Sequence, residues 1–175
     1  SRFFNNKPYV VNDKWWSFLL YDKTAKPKQN AYPYSCRNDM EIDYPFATPP
    51  HRDSIFVFNG HYSNKIEKDA PYSSAFHCHI SDLPRQSVTI SGSAFVHFSP
   101  NAKAHFVISI NTSDSTYLWQ AKDLFKTERN EWQLVSYKIN LANSYPPDAE
   151  LKLYIWNPKE NPVWIDDFEM QVLKQ

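Results

Sequence analysis

Downstream of about residue 53, hydrophobic positions recur every second residue in a series of short runs, which is the period of a half-buried strand. "SIFVF" stops at Asn59-Gly60, and "YSSAFHCHISDLP" ends on a proline. "QSVTISGSAFVHF" sends Val88, Ile90, Ala94, Val96 and Phe98 to one face before "SPNAK" turns the chain. "AHFVISIN" does the same with Ala104, Phe106, Ile108 and Ile110, and "STYLWQAKDLF", "EWQLVSYKINL", "ELKLYIWN" and "VWIDDFEMQVL" complete the series. No long segment of period 3.6, internal repeat or low-complexity tract interrupts it. The pattern predicts an all-β domain over residues 36–175, a sandwich or jelly roll of two antiparallel sheets.

Residues 1–35 break the pattern. A Lys- and Asn-rich frame surrounds "WWSFLLYD", and "KTAKPKQNAYPYS" follows it. This reads as an N-terminal extension that packs on the main domain or links to it, with Trp15, Trp16, Phe18 and Leu19 as its anchors.

Composition agrees with the β reading. The 175 residues hold 6 Trp, 11 Tyr and 12 Phe, with 13 Pro and only 2 Gly. Nineteen basic residues balance nineteen acidic ones, so no global field draws the chain to nucleic acid or an anionic membrane. No apolar run approaches the roughly 20 residues of a membrane helix. The start "SRFFNNKPYV" carries neither an initiator Met nor a signal-peptide core, so a mature protein or an excised domain is expected. Cys36 and Cys78 stand far apart without CxxC spacing, either as two thiols or as one disulfide. An even count in a chain of this composition favours an extracytoplasmic setting.

Four segments carry a family likeness. "RNDMEI" resembles the "NDFE" opening strand of jelly-roll carbohydrate-binding modules and related galactose-binding-like domains, and "NGHYSNKI" their "SGxYS" element. "NEWQLVSYKINL" is similar to their late "W…v…f.l" strand, and "LYIWNPKENPVWIDDFEMQVL" to their closing hairpin. The matches keep the family order over residues 37–173. The resemblance implies a structural calcium held by Glu41 and Asp166, with backbone carbonyls near Asp39 and between Gly60 and Asn64.

Simple alternation places Trp164, Asp166, Phe168, Met170 and Val172 on one strand face, so Asp166 is expected to point with the core. A carboxylate there needs a cation or a dense hydrogen-bond shell. Calcium, which takes about 6–8 oxygens, would supply the first, and an Arg or backbone amides the second. Asp167 is expected to face solvent beside Glu169.

Sugar recognition stacks aromatic faces on rings and bonds hydroxyls with neighbouring polar groups. The candidates are Trp119, Tyr117 and Gln120 in "STYLWQAKD", together with Trp164 and Tyr62; Lys122 and Asp123 add polar partners, and Trp132 and Trp156 read as structural. His77 and His79 share a strand face, and a hairpin at "SPNAK" would set His97 opposite His105. Such a group would offer a polar sugar-binding face or a transition-metal site, although the Glu and glycines of a cupin-like HxH site are missing. "NTS" at Asn111 is a nominal glycosylation sequon.

There is no G-x-S-x-G elbow, HExxH or phosphate-binding glycine loop. Adjacent Asp166 and Asp167 on a strand diverge and make a poor acid/base pair. The expectation is a non-enzymatic, carbohydrate-binding-like module of a secreted, periplasmic or cell-surface glycan-active protein. Its partners would be a polysaccharide or oligosaccharide and neighbouring domains of a larger protein. Two alternatives are a structural sandwich that contacts protein without binding sugar and a jelly-roll lyase or hydrolase using the histidines.

Overall fold

In the computed structural model, residues 9–13, 16–20, 34–84, 87–124, 131–141 and 144–174 are described. Strands β1 (Tyr9–Asp13) and β2 (Trp16–Leu20) pair antiparallel with each other. Trp15 lies outside the described residues, and only the backbone is described for Trp16, Phe18 and Leu19.

Ten further strands form two antiparallel sheets. In the six-stranded sheet, β10 (Gln133–Leu141), β7 (Val88–Phe98) and β12 (Val163–Lys174) lie side by side. The other edge of β12 carries β5 (Ser63–Ile66), followed by β4 (Arg52–Asp53), and β3 (Tyr34–Asn38). The four-stranded sheet runs β6 (Phe76–His79), β11 (Glu150–Trp156), β8 (Ala104–Asn111), β9 (Thr116–Leu124). These sheets are the jelly-roll β-sandwich that the alternation predicts.

The inner faces come from the apolar half of each alternating run. Ile90, Ala94, Val96 and Phe98 of β7 meet Phe106, Ile108 and Ile110 of β8 and Leu151, Leu153 and Ile155 of β11 in one buried cluster. Burying each of the larger side chains among them stabilises the fold by roughly 1.5–3 kcal/mol. Cys36 and Cys78 are free thiols, one on each sheet, and burial pushes the Cys78 thiol up to about 12.

Gly92 lets this core close. A Cβ on it would stand 2.7 Å from Leu153 Cδ2 and 2.7 Å from Phe106 Cζ. Packed cores do not open freely around an added methyl, so Gly92→Val is expected to lose about 1–3 kcal/mol, measured by urea unfolding.

Three local expectations are corrected. "SIFVF" is not a strand but part of the irregular segment between β4 and β5, with Ile55 79% exposed. "SPNAK" does not join a hairpin, because β7 and β8 lie in different sheets. Pro100 is followed by Asn101 at φ 61, and the Ala102 amide donates to the Ser99 carbonyl at 3.2 Å. That is the residue pattern of a type II turn, whose twist splays flanking strands instead of pairing them.

The third correction concerns β12. Its pairing with β7 shifts between Asp166 and Glu169, where Asp167 adopts φ 49. This β-bulge adds one residue and switches the parity of the strand. Val163 and Ile165 face the core before it, Phe168, Met170 and Val172 after it. Asp166 pairs with Phe95 and therefore shares the outer face with Trp164, which pairs with His97. Asp167 is not a solvated charge either: it is buried and bound to the Arg37 guanidinium.

Candidate functional site

The outer face of the four-stranded sheet is built by the polar half of the same alternation. Residues opposite each other in register share a face. One row across β6, β11, β8 and β9 is His77, Lys152, Ser109 and Trp119, and another across β11, β8 and β9 is Trp156, His105 and Asp123. Tyr154, Val107 and Ala121 lie between them, and a bridge from Tyr72 to Trp156 extends the second row.

Aromatic rings are concentrated there. Trp119 is 50% exposed and Tyr72 58%, while Tyr154 and Trp156 are half-buried. Trp119 meets Trp156 edge-on at 6.1 Å between ring centroids, and Tyr72 meets Tyr154 edge-on at 5.8 Å. His105 lies 5.3 Å from Trp156 and is fixed by the Asp123 carboxylate at 2.7 Å. Glu150 holds Lys152 at 2.9 Å and His77 at 3.4 Å. Aromatic rings beside oriented donors and acceptors suit a ligand with apolar faces and many hydroxyls.

The sequence candidates separate into groups. Trp119 and His77 belong to this face, and Tyr117 occupies a bulge in the β8–β9 pairing, 47% exposed. Gln120 is on the opposite side of β9, opposite the core residue Ile108, and accepts from the Tyr137 hydroxyl at 3.3 Å. Lys122 has the same parity, and its ammonium donates to the Ser136 carbonyl at 2.8 Å. Trp164 and His97 are buried on the outer face of the other sheet, beneath Phe56, whose ring lies 4.5 Å and 4.9 Å from theirs. Tyr62 is 40% exposed in the segment preceding β5.

The expected meeting of His97 with His105 therefore does not occur. Their strands belong to opposite sheets and their side chains face away from each other, because "SPNAK" crosses between layers. Among the described residues no group of three or more His, Cys, Asp or Glu could hold a metal ion. Sequence reading missed Tyr72, Tyr154, Lys152 and Glu150, and read Trp156 as structural. In "ELKLYIW" the alternation of Leu151, Leu153 and Ile155 with Lys152, Tyr154 and Trp156 was the signal for most of them.

Glu41 and Asp166 approach one loop from opposite ends of the chain. Glu41 Oε1 accepts from the amides of His61 at 2.7 Å and Tyr62 at 2.9 Å. Asp166 Oδ2 accepts from the amides of Phe58 at 3.0 Å and Asn59 at 3.1 Å, and Oδ1 from that of Asp167 at 2.8 Å. Burial pushes the Asp166 carboxyl up to about 7; the three amides oppose this and the neighbouring Asp167 charge reinforces it. Oxygens that calcium would use face N–H donors instead. In this arrangement the residues present do not fit a calcium site.

No protein-family model matches the chain, and no curated protein matches it. Solved structures do. The CBM22-1 xylan-binding domain of Paenibacillus barcinonensis Xyn10C superimposes with a TM-score of 0.53 at 14% identity, over 80% of this chain and 94% of that one. The C-terminal family 22 carbohydrate-binding module of Clostridium thermocellum Xyn10B gives 0.54 at 13%, over 79% and 92%. The chain has the jelly-roll fold of carbohydrate-binding modules. Both similarities cover nearly the whole of the other domain. Among the described residues no helix is long and apolar enough to cross a membrane.

Proposed function

We propose that this chain is a non-catalytic carbohydrate-binding module that receives a polysaccharide on the outer face of its four-stranded sheet. The observation that carries the reading is the joining of Trp119, Trp156, Tyr154 and Tyr72 with the ion-paired Lys152, Glu150, His105 and Asp123 on one face. Sugar rings stack on the aromatics while the charged groups bond hydroxyls. The fixed ion pairs leave little unmatched charge, which favours a neutral glycan over an acidic one. Xylan is the first ligand to try, since one of the two matched domains is described as xylan-binding. A module of this kind would serve a secreted or cell-surface glycan-active protein.

Affinity electrophoresis through gels containing xylan or other soluble polysaccharides, with depletion by insoluble ones, tests this. Retarded migration with at least one neutral glycan is expected. Unretarded migration in all of them, with no depletion, removes the reading.

A second reading rests on the other sheet. Ile55, 79% exposed, and Leu134, 65% exposed, stand with the half-open Phe56 and Phe58 near its outer face, an apolar surface suited to a neighbouring domain. Under that reading a chain with no glycan affinity would still bind an adjoining module. The enzymatic reading loses its support, because His77 and His97 lie on opposite outer faces.

A further inference from the structure

We propose that Glu41 and Asp166 form a metal-free clamp on residues 58–62, so that the fold does not depend on a calcium ion. Four of five consecutive backbone amides, those of Phe58, Asn59, His61 and Tyr62, donate to these two carboxylates. A loop that turns its N–H groups inward is an anion-binding nest. Hydrogens directed at both carboxylates disfavour a cation at the same oxygens, and calcium needs about six to eight of them.

The surrounding groups point the same way. The Met40 carbonyl, next to Asp39 where a metal-facing carbonyl is expected, accepts from Arg52 Nε at 2.7 Å, which brings a fixed positive charge to that side. Gly60 adopts φ 75, and a Cβ on it would stand 2.3 Å from Glu41 Oε1. That positive φ strains any residue with a Cβ, and the Cβ would also displace the Glu41 carboxylate from the His61 and Tyr62 amides. One consequence is the placement of Phe56 over Trp164 and of Phe58 over Phe95, 3.7 Å between centroids.

Thermal unfolding of the purified chain, stripped with a chelator and then given millimolar calcium, tests the proposal. The melting temperature is expected to stay within about 1 °C with chelator or calcium, because a ligand that does not bind cannot stabilise by mass action. Gly60→Ala is expected to lower it by more than about 5 °C, and Glu41→Gln, which keeps one oxygen for the two amides, by less. A rise of more than about 3 °C with calcium in the parent chain, lost in Glu41→Gln, overturns the proposal. So does a Gly60→Ala chain that melts with the parent.

Discussion

Trp119→Ala is expected to weaken glycan binding by about 10- to 100-fold while leaving the melting temperature close to that of the parent. Central aromatic anchors in binding sites contribute about 2 kcal/mol or more when truncated, and 1.4 kcal/mol is a factor of ten. Trp119 is 50% exposed on an edge strand, so its removal opens no cavity in the core. Trp156→Ala should match it in affinity but lose about 1 kcal/mol of stability as well, since Trp156 is half-buried and packs on His105. Titration calorimetry on the retarding glycan measures the first effect, and thermal unfolding separates the second. The control is Trp164→Phe, buried on the other sheet under Phe56. A Trp164→Phe chain that loses affinity as Trp119→Ala does would move the site to that side of the molecule.

That two tryptophans proposed together from sequence lie on opposite sides of the sandwich marks the limit of reading period alone. Alternation identified the core half of β7 and β8 because each run keeps its parity from end to end. The register puts Gln120 and Lys122 on the opposite side of β9 from Trp119, although polar neighbours in the chain look like polar neighbours in space. What alternation does not carry is sheet membership, which is set by turns. "SPNAK" has the length of a hairpin loop, yet Pro100 and the left-handed Asn101 pass the chain to the other layer. His97 and His105 part for that reason.

The bulge in β12 is a further case of a single residue changing a face. Asp tolerates the left-handed region better than most residues, so Asp167 is a credible bulge position, but nothing in "WIDDFEM" announces one. The consequence is large, since parity before the bulge sends Asp166 outward under the 58–62 loop. The resemblance had already paired Glu41 with Asp166, and the structure does converge both on one loop. The groups they meet there are amides.

Asp166→Ala is accordingly expected to be the most destabilising polar substitution in the sandwich, by about 2–4 kcal/mol in urea unfolding. The Asp166 side chain is fully buried and satisfies three backbone N–H groups. Each donor left dry would cost about 1–3 kcal/mol, but the loop can open and admit water to Phe58 and Asn59, which limits the sum. Asp166→Asn isolates the charge. Its amide oxygen can still accept from Phe58 and Asn59, whereas its NH₂ meets the Asp167 N–H, so a loss of about 1–2 kcal/mol is expected. The pH profile distinguishes the two contributions. With the folded-state value pushed up to about 7 by burial, protonation of Asp166 favours folding, and this contribution is lost as pH rises from the unfolded-state value of 3.8 through 7. The stability gap between the parent and Asp166→Asn should therefore narrow between about pH 5 and about pH 8, a range that spans the folded-state value of about 7. A gap that widens over that range would show that the three amides outweigh burial and hold the carboxylate ionised.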